Sequence, residues 1–252
     1  MPNTPLLATH HTENNLQISV FDLQDINDDI RNILDDHVCS ICAGVNANKI
    51  EQIKRRLKNR FNGWSEDLKM GAVAEFFIHL YMRFKGYKQE FLFFNLEEGS
   101  IKKGFDGLYT AENTTWLMES KSGSISTAGI SHEKKIKEAF ADLKNKVTTG
   151  VSNNPWENAY NHASHRDVGS ADNLRDNLKK MSEDFENDSY QRIEDLNIIP
   201  CATVFLNGTW LQYDRNEIVQ SVKNIPTLLG KNIHAICVTQ KSYDLFMEYI
   251  EE

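Results

Sequence analysis

The sequence predicts an α/β fold in which a mixed central sheet is flanked by helices. Two near-continuous apolar runs, 198–206 and 233–239, are typical of central strands that are covered on both faces. Two longer segments, 65–85 and 132–147, repeat apolar residues at helical spacing. Hydrophobic residues make up 40% of the 252 residues and charged residues 25%, which is ordinary for a folded chain with a sizeable core.

The N-terminal part of the chain predicts one strand followed by a helix. Residues 1–15 are polar and are expected to be mobile, whereas LQISVFDL at 16–23 predicts a strand. A helix then continues to Cys42. Cys39 and Cys42 form a lone CxxC pair with no second pair in the sequence, so a shared helix face is favoured over a zinc or redox site.

The next segment, 49–60, is strongly basic, with six cations against one acid. Its apolar residues Ile50, Ile53 and Leu57 recur at helical spacing, so the cations spread over the outer face of a helix. A solvated helix surface is the simpler interpretation of this face. A surface that contacts phosphates or docks a partner is the alternative.

Residues 65–85 predict the first core helix. Ser65 is a suitable N-cap, and the acids that follow it suit the positive end of the helix dipole. Glu75 lies opposite the main apolar stripe, but it shares that side with Gly71 and Ile78. A helix that is apolar nearly all round is buried, which makes a glutamate there unusual. An exposed Glu75 without a functional role is the alternative.

The segment after this helix carries the most informative residues. Residues 88–95 predict a first core strand, and 104–123 predict a hairpin with Asp106 near its start. Glu119 and Lys121 point to one face of the second strand, which Asp106 can reach if the register allows. Buried charges are costly unless they pair or hold a metal, so this set suits Mg²⁺ and its oxygen ligands. A surface hairpin with an exposed glutamate and lysine is the alternative.

The order Asp106, a hairpin-length gap and Glu119-x-Lys121 resembles the signature of PD-(D/E)XK nucleases. More narrowly, LMESKSG after an apolar run, with the later strand IIPCATVFL, resembles the nuclease subunit of Hachiman-type anti-phage defence systems. The resemblance implies a metal-dependent nuclease that cuts phosphodiester bonds, most readily in DNA, beside a helicase partner. It implies a Mg²⁺ site, in which Mn²⁺ can substitute, formed by Asp106, Glu119, the Ser120 carbonyl and Glu75. Lys121 would position or activate the attacking water.

The resemblance also implies how the chain is divided. A restriction-endonuclease-like core would occupy 65–252, and residues 1–64 would be an N-terminal extension packed on it. Within the core, the helix 132–147 turns Lys134, Lys135, Lys137, Lys144 and Lys146 outward. A polar insertion at about 150–197 follows, with an amphipathic helix through Leu174 and Phe185. The insertion contains His162 and His165, for which a loop position is favoured over a metal-ligand pair.

Composition and missing motifs exclude several classes of function. The net charge of −8 argues against a free-standing, high-affinity nucleic-acid binder, so a basic patch or a partner would have to deliver DNA. No apolar run reaches the ~20 residues of a membrane span and no signal pattern begins the chain, so a cytoplasmic protein without a membrane partner is expected. Neither a phosphate-binding GxxxxGK[ST] loop nor a GxSxG elbow occurs. The alternative to an enzyme is a catalytically silent module that binds a partner protein or nucleic acid.

Overall fold

The computed structural model describes residues 6–45, 49–94, 104–112, 114–149 and 153–252, which contain seven strands and eight α-helices. The strands are β1 (Thr9–Glu13), β2 (Leu16–Leu23), β3 (Lys88–Gln89), β4 (Gly107–Ala111), β5 (Thr114–Ser124), β6 (Asn197–Phe205) and β7 (Asn232–Gln240). The helices are α1 (Asp28–Ala43), α2 (Ile50–Phe61), α3 (Glu66–Phe84), α4 (His132–Thr148), α5 (Pro155–Ala163), α6 (Asp172–Glu186), α7 (Arg215–Lys223) and α8 (Asp244–Glu251).

All seven strands belong to one sheet, in the order β1-β2-β7-β6-β5-β4-β3. The four central strands run parallel, and antiparallel pairs complete both edges. The strands β6 and β7 are buried along nearly their whole length because helices cover both faces of the sheet. The predicted α/β fold with a mixed central sheet flanked by helices is therefore confirmed.

The helices divide between the two faces of the sheet. The helices α1, α2, α3 and α8 pack on one face over an aromatic core that includes Phe21, Phe77 and Phe246. The helices α4, α5, α6 and α7 cover the other face, so the polar segment 150–197 supplies helices to the core. Ser65 caps α3 and Ser131 caps α4 through their side-chain oxygens. These two helices lie on opposite faces of β5, and this arrangement brings the candidate site together.

The N-terminal segment contributes directly to the central sheet. The strand β2 coincides with the predicted strand 16–23 and pairs in parallel with β7. Thr9–Glu13 forms the edge strand β1, so the expectation that residues 1–15 are mobile is wrong for this part. Its polar side chains suit an exposed edge. Residues 1–5 lie outside the described residues, and a domain boundary at residue 64 stays a prediction.

The strand predicted at 88–95 is much shorter than expected, because only Lys88 and Gln89 pair with β4. The chain then leaves the sheet, and the backbone N–H groups of Phe93 and Phe94 donate to the last carbonyls of α1 over 3.0 and 3.1 Å. Capping the helix satisfies these groups in place of a strand partner. Asn95 lies outside the described residues, as does most of the turn predicted at 99–104.

Candidate active site at the edge of the central sheet

The candidate site forms where β4 ends and leaves one side of β5 open. The last antiparallel pair joins Gly107 to Met118, and no other described strand pairs with β5 beyond Met118 on that side. Beyond this pair, the Asp106 carboxylate replaces the missing strand as a hydrogen-bond partner, because its Oδ2 accepts from the Ser120 backbone N–H over 2.9 Å. Side chains from both faces of the sheet can reach this gap.

The five predicted site residues, Glu75, Asp106, Glu119, Ser120 and Lys121, all line one cavity of about 450 Å³ at this edge. The cavity lies between α3, which carries Glu75, and α4 on the opposite face of β5. The fold thus brings together residues that are up to 46 positions apart in the sequence, as predicted from the hairpin and the first core helix. Their proposed roles in chemistry stay predictions.

The Glu119 carboxylate is the most deeply buried charge-bearing group of the site, with an exposed fraction of 2%. Lys121 Nζ donates to its Oε1 over 2.9 Å, and Lys146 Nζ donates to its Oε2 over 2.6 Å. Burial raises the pKa of Glu119 to about 8, and the nearby Asp106 carboxylate adds to the rise. The two ammonium groups oppose this effect but do not cancel it.

Two residues that line the cavity were not recognised from the sequence as part of the site, and both lie on α4. Asp142 Oδ2 forms an ion pair with Lys121, and Lys146 reaches Glu119 from one turn further along the helix. The prediction that Lys146 points outward is therefore wrong, because its side chain is only 14% exposed. The i, i+4 spacing of an acid and a lysine beside the apolar stripe of the helix was the available signal.

The ion pairs also set the protonation of the site. Burial alone would lower the pKa of Lys121, but Glu119, Asp142 and Asp106 together outweigh burial and raise it. Lys121 therefore stays an ammonium throughout the physiological range. Burial acts to raise the pKa of Asp142, but the hydrogen bond with Lys121 and the nearby lysine charges outweigh burial, so the pKa lies below its ordinary value. The positive charge of Lys121 is thus a fixed feature of the cavity.

A buried hydrogen-bond chain lies behind Glu75. The Tyr109 hydroxyl lies 2.6 Å from His79 Nδ1, and His79 Nε2 lies 3.4 Å from Glu75 Oε1. We assign the ring hydrogen to Nε2, where it faces the Glu75 carboxylate, so that Nδ1 accepts from the Tyr109 hydroxyl. Burial lowers the pKa of His79 to about 3, so the ring is neutral at pH 7. A neutral donor behind the carboxylate orients it without cancelling its charge, in the way that outer residues support metal ligands.

The donor chemistry of the cavity fits a hard divalent cation, although the ligands are engaged elsewhere. Within the described ranges, no three His, Cys, Asp or Glu side chains are arranged to hold a metal ion. Both oxygens of Glu119 contact ammonium groups, and one oxygen of Asp106 accepts the Ser120 N–H. The buried Ser120 hydroxyl has no hydrogen-bond partner among the described residues. Carboxylate and hydroxyl oxygens are ligands that Mg²⁺ accepts.

Several cations of the basic helix α2 contact other side chains of the protein. The Lys54 ammonium lies over the Tyr249 ring at 3.8 Å, and Arg56 lies over the Phe94 ring at 4.2 Å. Lys58 forms an exposed ion pair with Glu251 at 3.3 Å. These contacts favour the interpretation of a helix surface that also packs. A phosphate-contacting role for 49–60 stays a prediction.

The CxxC pair and His162 both lie in packed parts of the protein. Cys39 and Cys42 are free thiols on α1, and burial raises the pKa of Cys42 well above its usual value, which disfavours the thiolate that a metal or redox site needs. His162 is buried at the end of α5 and stacks on Phe91 with ring centroids 4.4 Å apart. This ring is a core histidine of a helix and not the loop histidine that was favoured.

The fold and the site define a mixed α/β protein with an acid-and-lysine cavity at the edge of its sheet. A family model for HamA matches residues 3–252, so the chain belongs to the HamA family, which is associated with Hachiman anti-phage defence. The narrower of the two sequence resemblances is thereby confirmed at the level of the family. A search of curated proteins returned no match. Within the described ranges, no helix has the length and apolarity that crossing a membrane requires.

Proposed function

We propose that this protein is a Mg²⁺-dependent nuclease of the PD-(D/E)XK type that hydrolyses phosphodiester bonds, most readily in DNA. One observation carries the proposal: Asp106, Glu119 and Lys121 meet in one cavity at the open edge of β5. Membership of the HamA family supports a defence setting for such an activity. A surface hairpin would have left Glu119 exposed, and its burial argues against that simpler alternative.

Asp106 and Glu119 would hold the metal, together with the Ser120 carbonyl, and Glu75 would contribute directly or through water. When bound, Mg²⁺ would supply Lewis acidity at the scissile phosphate, and Mn²⁺ could replace it because it accepts the same oxygen ligands. The neutral His79 ring would keep the Glu75 carboxylate turned towards the cavity. The sequence-based ligand set therefore has an outer support that the sequence did not suggest.

Lys121 would position the attacking water and stabilise negative charge as it develops on the phosphate. Its ammonium already contacts the acids of the site, and Asp142 holds it from the α4 side. Lys121 or Lys146 must move away from Glu119 before that carboxylate can bind a metal. Long lysine side chains can make such a shift without a change of the backbone.

The proposed partner is a helicase, which would deliver DNA to a chain whose net charge of −8 opposes unaided binding. The exposed cations of α2 are candidate contacts for the DNA or for that partner. The proposal of a partner rests on the family and on the net charge. It predicts that DNA cleavage requires the partner, whereas metal binding by the isolated chain does not.

A catalytically silent binding module is the second candidate function. The observation that favours it is the pairing of both Glu119 oxygens with lysines, which closes the acid set against a metal. In that case the ion pairs would serve to stabilise the fold, and divalent cations would leave the protein unchanged.

The deciding experiment measures cleavage of plasmid DNA by the purified protein, alone and with its helicase partner, in Mg²⁺ or in EDTA. Lys121→Ala and Glu119→Gln should abolish metal-dependent cutting, whereas Lys144→Ala, an exposed lysine of α4, should leave it unchanged. Cutting that persists in Lys121→Ala would refute the assigned site. An absence of cutting in every condition, with no change in melting temperature on adding Mg²⁺, would favour the binding module.

A further inference from the structure

A second, smaller cavity opens beside the candidate active site. It has a volume of about 240 Å³, and its walls include Phe91, Leu92, Phe93, Phe105, Asn158 and His162. It shares three residues, Trp64, Glu75 and Asp106, with the catalytic cavity. A ligand bound at Asp106 would therefore lie at the border between the two cavities.

The walls of this side pocket suit a flat, uncharged ring. Phe91 stacks on His162, and Phe105 packs edge-on against Trp156 with centroids 5.1 Å apart, so the aromatic walls are held rigidly. Asn158 is buried and adds an amide to the lining of the pocket. Sites for drug-sized molecules are roughly 300–1,000 Å³, so a smaller pocket fits a single ring system better than a whole nucleotide.

Charge decides which part of a nucleotide can enter. Glu75 and Asp106 stand at the junction of the two cavities, and their carboxylates repel a phosphate that enters the side pocket. The lining of the larger cavity also includes two large apolar side chains, the half-buried Trp64 at the junction and Leu68, which is 54% exposed. An aromatic ring and an exposed leucine contact bases more favourably than they contact phosphates.

We propose that the side pocket binds one unstacked base of a single-stranded polynucleotide while the neighbouring phosphodiester lies at Asp106 and Glu119. This inference rests on the proposed nuclease function and specifies its substrate class. A base in a duplex is paired and stacked, and extracting it costs a few kcal/mol. The pocket would therefore select unpaired strands, such as those that a helicase releases.

Trp64 is the residue that would stack against the next base at the junction. Its backbone N–H donates to the Phe61 carbonyl over 3.1 Å, and its ring packs on Phe61 with centroids 5.3 Å apart. The indole is thus held in place while one part of it remains accessible. Stacking on such a ring accounts for roughly tenfold or more in affinity per base, and it tolerates any base.

The test measures binding of short fluorescent oligonucleotides to the full chain, with Ca²⁺ in place of Mg²⁺ to retain a hard cation without rapid cleavage. Single-stranded DNA, single-stranded RNA, a duplex and a single strand with consecutive abasic sites are compared. The base pocket predicts that the normal single strand binds roughly tenfold more tightly than the duplex and the abasic strand. The DNA and RNA arms show which sugar the site prefers.

The variants separate base binding from phosphate binding. Trp64→Ala should lose roughly tenfold in affinity for the normal single strand, and Trp64→Phe should retain most of it. Trp210→Ala removes another half-buried tryptophan that lines neither cavity, and it should bind like the wild type. Leu92→Phe fills the pocket from one wall and should weaken binding of the normal strand but not of the abasic strand.

Equal affinity for normal and abasic strands, duplex binding as tight as single-strand binding, or no binding at all would overturn the inference. Cleavage in Mg²⁺ is measured in parallel on the same oligonucleotides. Cutting without base dependence would leave the nuclease assignment standing and refute only the pocket. Base-dependent binding without cutting, also in the presence of the helicase, would support the pocket and refute the nuclease assignment.

Discussion

Replacing Lys146 tests the part of the site that the sequence did not suggest. In the wild type its ammonium contacts Glu119 Oε2 at 2.6 Å, inside a region where the carboxylate is 2% exposed. Removal of one partner from a buried ion pair typically costs ~3–5 kcal/mol. Here Lys121 still contacts Oε1, and burial raises the pKa of Glu119 to about 8, so a proton can replace the lost cation.

The expected cost of Lys146→Met is therefore smaller, at about 1–3 kcal/mol, which is the usual penalty for one unsatisfied buried group. For a protein of this size, such a loss lowers the melting temperature by on the order of 5 °C. Chemical and thermal denaturation measure it directly. Lys144→Met is the matched control, because it removes an exposed lysine of the same helix and should change stability by less than about 0.5 kcal/mol.

The deficit of Lys146→Met should also depend on pH. Glu119 is protonated at pH 5 in both proteins, so the lost ion pair matters less there, and the deficit should grow as the pH rises towards 9. If Lys146→Met proved as stable as Lys144→Met at every pH, the ion pair with Glu119 would not be a structural element of the site. A metal that binds Glu119 should narrow the deficit, since it supplies positive charge at the same carboxylate.

Three further predictions concern metal, acid and backbone. Saturating Mg²⁺ should raise the melting temperature of the wild type by several degrees, because it binds only the folded state, and Asp106→Asn should abolish the shift; an equal shift in both proteins would place the metal elsewhere. Burial lowers the pKa of His132 to about 4, below its unfolded value, so its contribution to stability is complete above pH 6.5 and falls by about 2 kcal/mol at pH 5. Denaturation of His132→Gln at both pH values should show a flatter dependence, and an unchanged slope would contradict the assignment. Gly44 has a φ of +83°, and a Cβ there would lie 2.3 Å from the Asp167 carbonyl oxygen, so Gly44→Ala should lower the free energy of unfolding by more than ~2 kcal/mol. Gly208 has a similar φ but open space around it, so Gly208→Ala is the control and should cost only ~1 kcal/mol. Equal losses in denaturation experiments would show that the close contact at Gly44 is relieved.

Local signals were sufficient for most of the elements of the fold. The strand 16–23, the helix that Ser65 caps and the buried strand β6 each carry their own pattern of apolar residues, caps or continuous hydrophobicity. The convergence of Asp106 with Glu119 and Lys121 could also be expected, because a hairpin brings its two strands together at a spacing that the chain itself specifies. Glu75 followed from the family resemblance and not from its helix alone.

The sequence was misleading where a distant element decides the outcome. Residues 88–95 have the composition of a strand, but the C-terminal end of α1 provides partners for Phe93 and Phe94 that no local pattern reveals. Lys146 looks like one of several exposed lysines on α4, and only the packing of that helix on β5 turns it towards Glu119. In the same way, the chain Tyr109–His79–Glu75 joins β4 to α3 through contacts that are 30 residues apart in sequence.

In the proposed function, the charges of the cavity couple the binding of the metal, the substrate and the partner. Five acidic residues, Asp67, Glu75, Asp106, Glu119 and Asp142, line this cavity together with the two lysines Lys121 and Lys146. Because the pKa of Glu119 is about 8, its carboxyl group is mostly protonated at pH 7, and the formal charges of the other lining residues leave an excess of two negative charges that repels a phosphodiester. A divalent cation would balance this excess and open the site to the phosphate, so metal and nucleic acid should each strengthen the binding of the other. Because the whole chain is also acidic, a DNA-bound helicase would remove the remaining barrier by supplying the strand at high local concentration. A chain built in this way would be expected to cut little DNA without its partner, which suits a nuclease that has to spare the cell until it is needed.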